Sequence, residues 1–194
     1  MAQSRYEHTT RSYLVPIGDV NLEQRQQKRV NCDDVIIEVA LRRQIKDRPE
    51  DLTVRDTLPN TDLGVAGLQN SWLVAAAAVV AAETVFTAAA IAINNVVGFY
   101  GIAPETTPVV WSFVRFAVGT AAAPTITRGL FHLEQLNSRF EPVGYFSEIP
   151  YFERTEFCRI SLMARAAAAG ATQVVPMLAR TCEPIGTIIT MPSV

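Results

Sequence analysis

Histidine, lysine and cysteine are scarce in this chain of 194 residues, and two of these shortages argue against common kinds of site. The two histidines, His8 and His132, are far apart in the sequence, so the paired-histidine motif of metal helices is absent. The three cysteines, Cys32, Cys158 and Cys182, form no CxxC pair and have no histidine nearby. A zinc site or a disulfide framework is therefore not indicated, and we expect free, mostly buried thiols.

The usual signatures of catalysis are also missing. The sequence contains no nucleophile elbow, no phosphate-binding glycine loop and no dinucleotide fingerprint. His132, beside Glu134, fits a half-exposed residue on a strand; a triad built on it stays open, but no serine is indicated as its nucleophile. We therefore predict no enzymatic activity, no cofactor and no metal.

One acidic cluster could contradict the prediction that the chain has no metal and no enzymatic activity. Glu148, Glu153 and Glu156 could hold a hard cation or supply a pair of catalytic carboxylates. Arg154 and Arg159 are interleaved with them, which favours an ordinary ion-paired loop.

Charged residues are few, and the basic ones are almost all arginine. Charged residues make up 19% of the chain and the net charge is -2, so bulk charge indicates no nucleic-acid partner, and we predict no sequence-specific one. Lys28 and Lys46 are the only lysines; arginine, which replaces lysine elsewhere, suits partly desolvated interfaces, although genome composition produces the same bias. Apolar residues reach 49%, many of them alanine, which suggests surfaces that become covered.

A long uncharged segment raises the question of a membrane. The 21 residues between Glu83 and Glu105 carry no formal charge, nominally enough to span a bilayer. The Asn94-Asn95 pair in its middle and the weakly apolar alanines argue against a transmembrane helix. Contact of residues 63–103 with lipid stays open as an alternative.

The pattern divides the chain into three parts. Residues 1–31 are weakly patterned and predict an N-terminal arm. Residues 32–83 predict a partly helical segment, because apolar residues recur at four-residue spacing in "VIIEVALRRQI" before Pro49. Residues 84–194 alternate apolar and polar positions between turn signals, as in "EFCRISLMAR". The predicted fold is mainly β: an antiparallel β-sandwich or jelly roll with an N-terminal arm and one or two helices.

The stretch "TPVVWSFVRFAVGT" predicts a strand with an apolar core face and an unusual second face. Simple alternation places Val110, Val114, Phe116 and Val118 on the core face, and Trp111, Phe113, Arg115 and Ala117 on the other. A large aromatic face with one charge is unlike plain solvent-facing surface. We predict a subunit interface formed by Trp111, Phe113, Arg115, Tyr151 and Phe152, with Arg115 paired to a carboxylate.

Several segments together resemble a known family. "VVWSFVRFAVG", "GLFHLEQL", "EPVGYFSEIPYF", "FCRISLMARAAAAGA" and "VVPMLARTCEPIGTIITM" are similar to strands and loops of jelly-roll capsid proteins of tailless icosahedral bacteriophages, over residues 84–194. The resemblance implies a virion structural protein made in the host cytoplasm, which assembles with copies of itself and other virion proteins. Contact with a membrane surface stays open. It carries over no catalytic residue.

Two other functions stay open beside it. The first is a membrane-associated subunit of a larger complex. The second is a small β-sandwich enzyme or carbohydrate-binding module that uses the aromatic side chains.

Overall fold

The computed structural model describes residues 17–65, 72–74, 83–103, 111–120, 123–133, 144–165 and 173–186. Over these residues the chain is mainly β, with two antiparallel sheets packed face to face. The helices described are α1 (Ile17–Arg42) and the short α2 (Pro59–Leu63). The predicted antiparallel β-sandwich with one or two helices is confirmed.

The described residues form eleven strands. They are β1 (Leu52–Asp56), β2 (Leu73–Val74), β3 (Glu83–Ala90), β4 (Val96–Ile102), β5 (Trp111–Gly119), β6 (Pro124–His132), β7 (Gly144–Tyr145), β8 (Tyr151–Glu153), β9 (Phe157–Ala164), β10 (Gln173–Val174) and β11 (Met177–Pro184).

The strands pair in a nested order. The first sheet runs β1-β11-β4, with β7 and β8 both paired to β4, and the second sheet runs β3-β9-β5-β6. The pairs β1 with β11, β2 with β10, β3 with β9, β4 with β8, and β5 with β6 lie one inside the next along the sequence. The paired strands are therefore arranged as one long antiparallel hairpin, which is folded into two layers.

The space between the sheets is filled by apolar side chains, including several phenylalanines. Phe99 of the first sheet and Phe116 of the second have ring centroids 4.8 Å apart, and Phe131 stacks on Phe146 at 4.3 Å. The alternation in β9 is as predicted: Cys158, Ile160, Leu162 and Ala164 all belong to this core.

Helix α1 covers the outer face of the first sheet. Its residues Ile36, Val39 and Ala40 form a second apolar cluster with Val96 and Cys182 of the sheet. All three cysteines are free and buried, as expected, and burial raises the pKa of Cys32 and Cys182 to about 12.

Two of the predicted boundaries are wrong. Residues 17–31, expected in the N-terminal arm, form the first half of α1; residues 1–16 lie outside the described part of the chain. The sandwich begins at β1 rather than at residue 84, because β1 pairs with β11 along its whole length.

The uncharged segment that raised the membrane question contains β3 and β4, one strand in each sheet. A turn at Ile93 and Asn94 connects them. Among the described residues, no helix has both the length and the apolar character needed to cross a bilayer.

Candidate interaction surface

Two of the five residues predicted for a subunit interface lie in the core instead. Trp111 and Phe152 have no exposed surface, and Phe152 makes an edge contact with Phe99 at 6.1 Å. A side chain that is already fully covered within its own chain offers nothing to a second copy, so the prediction is wrong for these two residues.

A β-bulge explains the error at Trp111. Trp111 lies opposite Ala164 of β9 and Phe113 opposite Met163, so β5 takes two steps where β9 takes one. The extra residue, Ser112, donates a hydrogen bond to the Met163 carbonyl at 2.9 Å. A bulge reverses the facing of every residue beyond it, and Trp111 therefore joins Val114 in the core.

The other three predicted residues remain at the surface, but on different sheets. Phe113 and Arg115 lie on the outer face of the second sheet, in register with His132 and Leu130 of β6. Tyr151 lies on the first sheet and packs against the apolar cluster under α1. The structure therefore does not bring Tyr151 together with Phe113 and Arg115.

Phe113, Arg115, Leu130 and His132 form a contiguous surface, which we call the β5–β6 patch. The Phe113 and His132 rings meet edge to face at 5.6 Å. Leu130 is 51% exposed, a large fraction for a leucine between an aromatic pair and a guanidinium. Strand β6 is the last strand of its sheet, and no described strand pairs with its other edge. Exposed apolar side chains at a free sheet edge are typical of interaction surfaces.

A small charge network borders the patch. The Arg115 guanidinium lies 3.5 Å from Glu83 of β3, and its Nε and Nη2 donate to the Thr127 hydroxyl. Arg159, between them on β9, also donates to Glu83, at 3.2 Å. Arg115 is thus paired to a carboxylate, as predicted, but the partner belongs to its own chain.

Two guanidinium groups share the single carboxylate of Glu83. Burial alone would raise the Glu83 pKa, but hydrogen bonds from Ser161 and Arg159 outweigh it and lower that pKa below its ordinary value. Arg159 is almost fully buried, and its Nε has no hydrogen-bond partner among the described atoms. This part of the outer face therefore keeps a local excess of positive charge.

Two carboxylates of the acidic cluster, Glu153 and Glu156, are ion-paired as expected, although their partners are not the interleaved Arg154 and Arg159. Arg43, in the turn directly after α1, binds Glu153 through two hydrogen bonds of 2.5 and 2.7 Å, and Arg128 of β6 binds Glu156. Within the part of the chain that the structure describes, no three His, Cys, Asp or Glu side chains are grouped so as to hold a metal ion.

Two arginines within residues 1–31, which were interpreted as an arm, were not recognised as candidate site residues. Arg25 and Arg29 lie one turn apart on α1 and line a cavity between the helix and the first sheet. Their four-residue spacing is a helical signal, but the surrounding residues carry too weak an apolar stripe for a helix to be predicted there.

Comparison with known proteins adds no relative. No family model, curated protein or solved structure matches this chain.

Proposed function

We propose that this chain is a virion structural protein, a capsid subunit that assembles with copies of itself into a shell and has no catalytic role. The strand order is the observation that carries the proposal. An eight-stranded jelly roll, lettered B to I along the chain, has sheets of order B-I-D-G and C-H-E-F. With β7 and β8 sharing one letter and the short β2 and β10 left out, the two sheets here follow the same orders.

Topology alone does not select the function, because lectin-like and enzymatic domains also use jelly rolls. The β5–β6 patch supports an assembling subunit over a monomeric module. It combines the exposed apolar side chain of Leu130 with an aromatic pair and an edge strand. Burying such a surface against another copy removes apolar area from water and covers a free sheet edge.

Electrostatics fit the same contact. The 3.5 Å separation between Arg115 and Glu83 is long for a charge-assisted hydrogen bond. Arg115 therefore retains capacity to pair with an acidic side chain of a neighbouring subunit.

A charge placed in the patch tests the proposal. Leu130→Glu is expected to abolish large particles, measured by light scattering after size-exclusion chromatography, because it puts a carboxylate into an apolar contact. Ile93→Glu is the matched control: Ile93 is 58% exposed but lies in the turn between β3 and β4, away from the patch. Loss of particles in both variants, or in neither, would contradict the assignment of the patch.

Replacing Arg115 by alanine is expected to act in the same direction. Arg115 is one-third exposed, so the change should impair assembly more than folding. A variant that unfolds outright, by circular dichroism, would instead give Arg115 a role in the fold.

A further inference from the structure

The N-terminal half of α1 stands away from the sheet and leaves a cavity of about 360 Å³. Farther along the helix the contact is tight, because Gly98 leaves room for Ile36 and Cys32. Two residues later in β4, the outer face carries Tyr100, which is 4% exposed and forms part of the cavity wall. The volume lies within the range of about 300–1,000 Å³ that is usual for small-ligand sites.

Two cationic side chains line the cavity. Arg25 and Arg29 line it from the helix side, and neither forms an ion pair within the described residues. Asp56, the one carboxylate among the described residues of the wall, is already bound at 2.6 Å by Arg180. Positive charge from two adjacent turns of α1 therefore faces a partly enclosed space.

Neutral groups in the wall complete a set of hydrogen-bond donors. Tyr100 lines the cavity together with Arg25, and its hydroxyl is able to donate a hydrogen bond to a bound ligand. The amide of Gln26 lines the same space, and Trp72 forms an aromatic part of the wall.

We propose that this cavity binds a phosphate group, free or as a small phosphate ester, with Arg25 and Arg29 as its charged donors and Tyr100 as a neutral one. A phosphate accepts hydrogen bonds at three oxygens and carries up to two charges, so it engages both guanidinium groups at once. A carboxylate has two oxygens and one charge and leaves one arginine unmatched. The volume exceeds the needs of the phosphate itself, and the space beside Trp72 suits an esterified group. This site goes beyond the proposed shell and does not depend on assembly.

Isothermal titration calorimetry of the full chain tests the site, in phosphate-free buffer of constant ionic strength. The probes are inorganic phosphate and adenosine 5′-monophosphate. We expect saturable binding at one site per chain, weakened on the order of a hundredfold in the double variant Arg25→Gln/Arg29→Gln, since each charged hydrogen bond contributes roughly tenfold. Tighter binding of the nucleotide identifies an ester as the ligand, and equal binding identifies the free ion.

Arg42→Gln is the matched control, because Arg42 lies on the same helix, is exposed and pairs with Glu38 away from the cavity. It should bind both probes like the unaltered chain, and circular dichroism checks that the double variant keeps its fold. Absence of saturable binding to the unaltered chain would overturn the proposal. Equal affinity in the double variant would overturn it as well.

Discussion

At the scale of single residues, Gly98 determines how closely α1 approaches the first sheet. A Cβ atom at this position would lie 2.6 Å from Ile36 Cγ2 and 3.0 Å from Cys32 Sγ. Both neighbours are fully buried, so neither can move aside without disturbing the cluster under the helix. The absence of a side chain at Gly98 is thus a condition for this packing.

Gly98→Ala should therefore destabilise the protein by about 1–3 kcal/mol, as overpacking of a core does. The measurement is the free energy of unfolding in urea. The double variant with Ile36→Ala, which removes Cγ2, should lose less than the sum of the single losses. Strict additivity would show that the helix does not sit on Gly98 as described.

The Glu83 carboxylate links stability to pH. Its pKa in the folded chain lies below the ordinary value of 4.5, so its ionised form stabilises the fold. That contribution is fully present above pH 4.5 and is lost as the pH falls through the lower, folded-state pKa.

Glu83→Gln should therefore flatten the acid side of the stability profile. Urea midpoints measured from neutral pH downward should fall less steeply in this variant than in the unaltered chain. Glu38→Gln serves as the control, since Glu38 is exposed and pairs only within α1. Identical acid limbs in Glu83→Gln and the unaltered chain would show that Glu83 contributes nothing to acid stability.

At the scale of elements, the side chain of Arg180 links both α1 and β1 to β11, in addition to the backbone pairing of β1 with β11. Arg180 of β11 is 5% exposed and binds Asp33 of α1 at 2.8 Å and Asp56 of β1 at 2.6 Å. Removal of a buried guanidinium leaves two carboxylates near each other without their shared partner.

Arg180→Met should cost about 3 kcal/mol of unfolding free energy and loosen α1, which hydrogen exchange at the helix amides would show. Arg42→Met is the comparison, because its exposed pair with Glu38 lies within a single helix and contributes little. Equal losses of unfolding free energy in the two variants would mean that the burial of Arg180 does not increase its contribution to stability.

Elements with strict alternation could be predicted from sequence, and those shaped by distant contacts could not. The apolar positions of β9 lie in the core as their two-residue period requires. Helix α1 is not predicted before residue 32 because the sequence there carries too weak an apolar stripe; Lys28 in this half donates to the Phe146 carbonyl, 118 residues away.

The candidate surface shows the same limit. Phe113 and Arg115 were placed correctly on the outer face by alternation, whereas Trp111 was misplaced by one inserted residue. Nothing in the local sequence marks that bulge, since it exists only in the register against β9. Leu130 and His132 became part of the patch through pairing with β5, which local patterns do not specify.

At the scale of the whole molecule, the two faces of the sandwich differ. The first sheet is covered by α1, whereas the second presents the β5–β6 patch at its free edge, and no described helix is seen to cover that patch. The nested strand order and this asymmetry suit a subunit that is completed by its neighbours. This is the central claim of the proposed function.

Light scattering after size-exclusion chromatography of the detergent-free protein, with electron micrographs of the eluted material, tests that claim most directly. The account predicts regular particles or rings with a mass many times that of one 21.3 kDa chain. A homogeneous monomer of 21.3 kDa, or protein recovered only with detergent, would contradict it.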